Sequence, residues 1–153
     1  MNGNALQLTL LRAAASPEMR ADNGEHSFTY AFTAWEGSFL NSPVVKEAYD
    51  LNVPLQTAKG TCASFSAFNL DAGNIFIDTV KPAEDGSGDL ILRLYEAKRA
   101  DTTCRLKIQI PVQTVYLCDM LENEKEELPL DNMNEVFLRF HTFEVKTLRI
   151  HTS

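Results

Sequence analysis

Cysteine is scarce in this chain, and its three copies form no pattern. Cys62, Cys104 and Cys118 are odd in number, and no two make a C-x-x-C pair, so neither a disulfide framework nor a zinc site is implied. Each sits in an apolar run, which predicts buried free thiols in a reducing, cytoplasmic compartment. Basic residues are also few: 14 Lys and Arg against 21 Asp and Glu give a formal net charge of −7. No Lys/Arg stripe overrides that balance, which argues against nucleic acid as a partner. No apolar run approaches the ~20 residues that span a bilayer, so no membrane helix is expected. The opening MNGNALQL lacks the basic and apolar regions of a signal peptide. Internal repeats, linkers and low-complexity segments are absent as well.

What is present is enough apolar matter for one domain. Hydrophobic residues make up 44% of 153 residues, which excludes a disordered chain and permits a substantial core. Most of it is arranged with the period of strands that bury one face. Leu6, Leu8 and Leu10 share one phase, as do Phe28, Tyr30 and Phe32. Between these two segments lies a long charged loop with Arg12, Glu18, Arg20, Asp22, Glu25 and His26. Polar side chains held between rigid strands are a common place for binding or chemistry.

Further along, TAWEGSFLNS carries the single tryptophan, Trp35, with Phe39 nearby. Aromatic rings stack on sugars, although large aromatics mostly anchor loops to a core. Ser42-Pro43 suits the start of a helix, with Ser at the N-cap and Pro at the first position. Val44, Val45, Ala48 and Tyr49 recur at helical spacing and predict a buried stripe, ended by Asn52 and Pro54. This helix reads as a plug over the end of the sheets. Strands are expected from Cys62 onward, one with Phe65 and Phe68 and the next with Ile75 and Ile77. The turn Glu84–Asp89 joins Ile75–Lys81 to Leu90–Glu96 as a hairpin. Cys104, Leu106, Ile108 and Ile110 alternate with Arg105, Lys107 and Gln109, the cleanest half-buried strand in the chain. Glu122–Glu127 reads as a solvated loop without calcium-loop spacing. Val136, Leu138 and Phe140 form another strand. Apolar parity shifts between Phe143/Val145 and Leu148/Ile150, which predicts a β-bulge near Lys146-Thr147. About nine strands and one short helix define an all-β fold, an antiparallel β-sandwich occupying residues 1–153 as a single domain.

Four blocks carry a resemblance. LTLLR with S-P and ADNGEHSFTY, then AYDLNVPL (Ala48–Leu55), TVKPAEDGSGDLILRLYEA (Thr79–Ala97) and FEVKTLRI (Phe143–Ile150) occur in the order found in the C-terminal region of glycoside hydrolase family 38 α-mannosidases. The chain is most similar to the branch with bacterial and cytosolic enzymes. The resemblance implies a β-sandwich region that supports a preceding catalytic domain. That domain would hold zinc on His and Asp ligands and a nucleophilic Asp. The expected partners are therefore the parent catalytic domain in cis and, through it, an α-mannoside. No cofactor is expected in these residues, and no catalytic pair of carboxylates is recognisable in them.

The expected contribution to the sugar pocket is the Ser16–His26 loop. Asp22 and Glu25 can accept hydrogen bonds from sugar hydroxyls, Arg12 can donate, and His26 can do either. The plainer reading is that the loop closes on itself, with Asp22-Asn23-Gly24 as a tight turn and Arg12 paired to Glu25. Where the family usually has Pro-His this chain has Ala34-Trp35, so no role passes to that position. The alternatives are an independent carbohydrate-binding module, with Trp35 and Phe39 as its stacking surface, and an interaction domain that forms a homo-oligomer through open sheet edges.

Overall fold

The structure, a computed structural model, describes residues 6–14, 16–20 and 22–152. Ala5, at the head of the first alternating stretch, and Ala21, within the charged loop, lie outside the described residues. The chain divides into two compact units, Met1–Ala34 and Trp35–Ser153.

The second unit holds all the regular structure among the described residues. Its strands are β1 (Phe68–Leu70), β2 (Ile75–Pro82), β3 (Leu90–Glu96), β4 (Thr102–Ile108), β5 (Thr114–Cys118), β6 (Glu124–Leu128), β7 (Glu135–Phe140) and β8 (Val145–His151). They form a three-stranded sheet in the order β1-β4-β7 and a five-stranded sheet in the order β2-β3-β8-β5-β6. Every pairing is antiparallel. The all-β sandwich with one short helix is therefore what the alternation foretells. Leu92, Leu94, Val115, Leu148 and Ile150 from the larger sheet meet Cys104, Leu106, Ile108, Val136, Leu138 and Phe140 from the smaller. Burying these side chains is the main force holding the two sheets together.

β4 keeps the alternation of its sequence: Cys104, Leu106 and Ile108 are buried while Thr103, Arg105 and Lys107 are exposed. β2 and β3 form the expected hairpin across Glu84–Asp89. Gly86 (φ +73°) and Gly88 (φ +91°) hold the turn in left-handed conformations that a side chain would strain.

The helix α1 runs Val44–Asn52, but two details differ from expectation. Ser42 does not cap it; the buried hydroxyl donates to the Phe39 carbonyl at 2.7 Å and closes the short 3-10 turn Phe39–Asn41 instead. The apolar stripe is only half-buried at Val44, Val45 and Tyr49, and Ala48 is exposed. The helix lies against Tyr95, on the face of β3 opposite the core leucines, with Tyr49 Oη 3.5 Å from the Ile77 carbonyl.

Four other expectations are corrected. No strand covers Cys62–Ser66; Cys62 is an exposed thiol and Phe65 is exposed. Glu124–Leu128 is an edge strand, because β5 supplies the backbone ladder whatever the charge of the side chains. β8 runs without a bulge against both neighbours. Phe143 is not part of it: it turns at φ +57° beside the bond from Glu144 N to the His141 carbonyl, which accounts for the parity shift. The irregularities fall instead between Ile77 and Thr79 in β2 and between Leu117 and Cys118 in β5.

In the first unit, the two alternating segments are not strands. Leu6, Leu8, Leu10, Phe28, Tyr30 and Phe32 are all exposed, Tyr30 by 67% and Phe32 by 79%. Alternation records which face a strand would bury, but the strand forms only where a neighbour completes its ladder. Among the described residues no backbone hydrogen bond joins 6–10 to 28–32.

Candidate functional site

The charged loop of the first unit is partly organised by its own backbone. Glu18 Oε1 accepts from Arg20 N at 3.0 Å, and Asn23 N donates to the Arg20 carbonyl at 3.1 Å. This closure ends at Asn23, within the Asp22-Asn23-Gly24 triplet. His26 Nε2 lies 2.9 Å from the Asp22 carbonyl. A carbonyl only accepts, so Nε2 carries a proton, and in the neutral ring Nδ1 is the acceptor. The His26 ring stacks on Phe28 at 6.0 Å between centroids, with planes 14° apart. Asp22 and His26 are thus brought together, the carboxylate of Asp22 being left out of that bond. Arg12 and Glu25 are exposed, and among the described residues no ion pair or side-chain hydrogen bond joins them.

In the second unit, Trp35 and Phe39 are neither buried anchors nor a stacked pair; each is about half-exposed. Phe39 lines a cavity of about 480 Å³ with Val44, Val45, Tyr49, Val53 and Tyr95. Its wall is almost wholly apolar and carries no carboxylate. Sugars are held by polar groups placed beside an aromatic face, which this wall supplies only through Tyr49, Asn52 and Tyr95.

Two polar clusters of the second unit escape a reading by sequence. The first centres on Arg149. Its guanidinium donates to Asp85 at 2.6 Å, to Asp89 at 2.7 and 2.8 Å and to Ser87 Oγ at 3.0 Å. Glu124 stands 3.5 Å away and is joined by His151 Nε2 at 2.7 Å. The Ser87 N–H and then Arg149 hold the Asp85 carboxyl down to about 2. This cluster pins the β2–β3 turn and the edge strand to β8. Its members are up to 64 residues apart, so local spacing gives no hint of it.

The second cluster is buried Glu96. Its carboxylate accepts from Asn74 Nδ2 at 2.8 Å, Lys98 N at 2.7 Å and Phe143 N at 3.0 Å. Burial pushes its pKa up, but the Phe143 N–H and its fellow donors outweigh this and leave it below the usual 4.5. Asp119, held by Lys125 and Asn123, is likewise lowered to about 2. Every carboxylate here with a displaced pKa is displaced downward. A glycosidase's general acid needs the opposite, a carboxyl kept protonated near neutrality. Among the described residues no three His, Cys, Asp or Glu side chains gather as a metal-holding group. A zinc ion therefore does not fit these residues.

Residues 74–148 match the family described as glycosyl hydrolases family 38 C-terminal beta sandwich domain. The chain is 38% identical to Alpha-mannosidase 2C1 of Homo sapiens over 156 residues, covering 97% of the chain but only 15% of that protein. It is 39% identical to Alpha-mannosidase 2C1 of Mus musculus, with the same coverage. Alpha-mannosidase G of Dictyostelium discoideum is 31% identical over 96% of the chain and 14% of its own length. The match begins at Asn74, just ahead of β2, and ends in β8, so it takes in strands of both sheets but leaves out β1. By that match residues 74–148 belong to the C-terminal β-sandwich domain of glycosyl hydrolases family 38, within a chain similar over nearly its whole length to proteins named alpha-mannosidases.

Proposed function

We propose that residues 1–153 act as one non-catalytic domain of a longer α-mannosidase. The hydrolysis of terminal α-mannosides then runs on a catalytic domain in the same chain, which holds the zinc and the nucleophile. The observation that carries this reading is the extent of the likeness: nearly the whole chain aligns with about a seventh of proteins named α-mannosidases. The ionised, structurally engaged carboxylates of the second unit support it from the side of chemistry. The loop of Arg12, Asp22, Glu25 and His26 then forms part of the pocket rim, with Asp22 and Glu25 accepting from sugar hydroxyls. The exposure of Arg12 and Glu25, and the Nδ1 acceptor that the Nε2 bond leaves on neutral His26, support that role. A cytoplasmic setting fits the three free cysteines. Among the described residues no helix is long and apolar enough to cross a membrane.

The test is turnover of an aryl α-mannoside by the purified 153-residue chain, with and without zinc. None is expected; zinc-dependent turnover lost on changing a carboxylate of this chain would sink the reading. The half-exposure of Trp35 and Phe39 favours one second reading, an independent carbohydrate-binding module. Titration of the same chain with mannose and mannobiose separates the two, since saturable binding weakened by Trp35→Ala belongs to the module alone.

A further inference from the structure

We infer that residues 6–10 and 28–32 are docking strands, which complete an open β-sheet edge in the portion of the parent α-mannosidase outside these 153 residues. This rests on the reading of the chain as a segment of such a parent. Three observations on the first unit lead to it. Each segment alternates large apolar residues with small or polar ones over five positions, about 17 Å and the usual length of a strand. All six apolar side chains are exposed, among them Leu6 at 72% and Phe32 at 79%. Neither segment is in a ladder, and among the described residues the two share no backbone hydrogen bond. An amphipathic strand left in this state carries a row of unmet backbone donors and acceptors beside an uncovered apolar face. Both needs are met together by adding to a sheet edge. The contrast within one chain is direct, because β4, with the same alternation, is paired on both sides and buries its apolar face completely.

The occupant follows from length. The relatives align with these segments too, since the match covers 97% of the chain, and about 85% of each relative lies elsewhere. Docking both segments would also fix the two ends of the loop between them. Arg12 and His26 flank that loop and would then be presented from a rigid base rather than from a chain that only its own turns restrain.

Amide hydrogen exchange tests this, read by mass spectrometry on the full-length parent and on the 153-residue chain. Peptides covering 6–10 and 28–32 should exchange at least ~100-fold more slowly in the parent, while β3 and β4 are protected alike in both. Leu8→Asp combined with Tyr30→Asp should abolish that slowing in the parent and leave β3 and β4 protected. Equal, fast exchange of both segments in the two proteins overturns the inference. So does equal protection in the short chain when its solution mass is that of a dimer, which assigns the strands to a second copy. Aryl α-mannosidase activity is measured on the same parent sample. An active parent with unprotected segments removes the docking strands alone; an inactive parent with protected segments removes the mannosidase reading alone.

Discussion

His26 donates from Nε2 to the Asp22 carbonyl, so the two residues share one bond without involving the Asp22 carboxylate. Substitution can therefore separate a sugar-binding role from a folding role. If the carboxylate meets a sugar hydroxyl, Asp22→Ala in the full-length parent should lower kcat/KM on α-mannosides roughly 5- to 30-fold, the effect of one hydrogen bond, and hardly move Tm. His26→Ala should lower kcat/KM comparably. Unchanged kinetics in both variants would take the loop out of the pocket. Glu96 is the opposite case, a carboxylate with a structural task. Removing its charge in Glu96→Gln should cost about 1.5–3 kcal/mol at pH 7, read from urea unfolding. Because its folded pKa lies below the usual 4.5, the stability it supplies is complete above that pH. It is lost as pH falls through the folded value, so the gap between wild type and Glu96→Gln should narrow below pH 4.5. The thiols make a third contrast. Cys62 is exposed, whereas burial raises Cys104 to about 11 and also raises Cys118. A thiol reagent on the native chain should label Cys62 first, and equal labelling of all three would contradict the burial of the other two.

Strands were legible in the sequence wherever alternation and pairing coincide within the chain. β4, β7 and the β2–β3 hairpin show a buried phase, and each finds a neighbour in its own sheet. Leu6–Leu10 and Phe28–Phe32 show the same phase without a neighbour, and a period cannot reveal whether the partner strand is present. β6 fails in the other direction: Glu124–Glu127 has no apolar phase, so its pairing with β5 leaves no signature. Ser42 suited an N-cap by type, but its hydroxyl is used by the preceding turn. Of the candidate site, the pairing of Asp22 with His26 lies within local reach, whereas Arg149 joins residues some sixty positions away. The difference between paired and unpaired alternation has a measurable consequence in the isolated chain. Leu106→Ala, at the centre of the sandwich, should cost about 2–5 kcal/mol by urea unfolding. Leu8→Ala should stay within about 0.5 kcal/mol. Comparable losses would mean that the first segment is packed as β4 is.

At the scale of the whole molecule, the sandwich of the second unit holds its displaced carboxylates in the ionised form, engaged in hydrogen bonds and ion pairs. The family match assigns that sandwich to the C-terminal β-sandwich domain of glycosyl hydrolases family 38. The most direct measurement of the account is zinc-dependent hydrolysis of an aryl α-mannoside by the full-length parent, before and after removal of these 153 residues. The account predicts turnover by the intact parent and its loss on removal, because the proposed docking strands and the proposed pocket loop go with the domain. An intact parent without α-mannosidase activity, or a truncated one with unchanged kcat/KM, would contradict it.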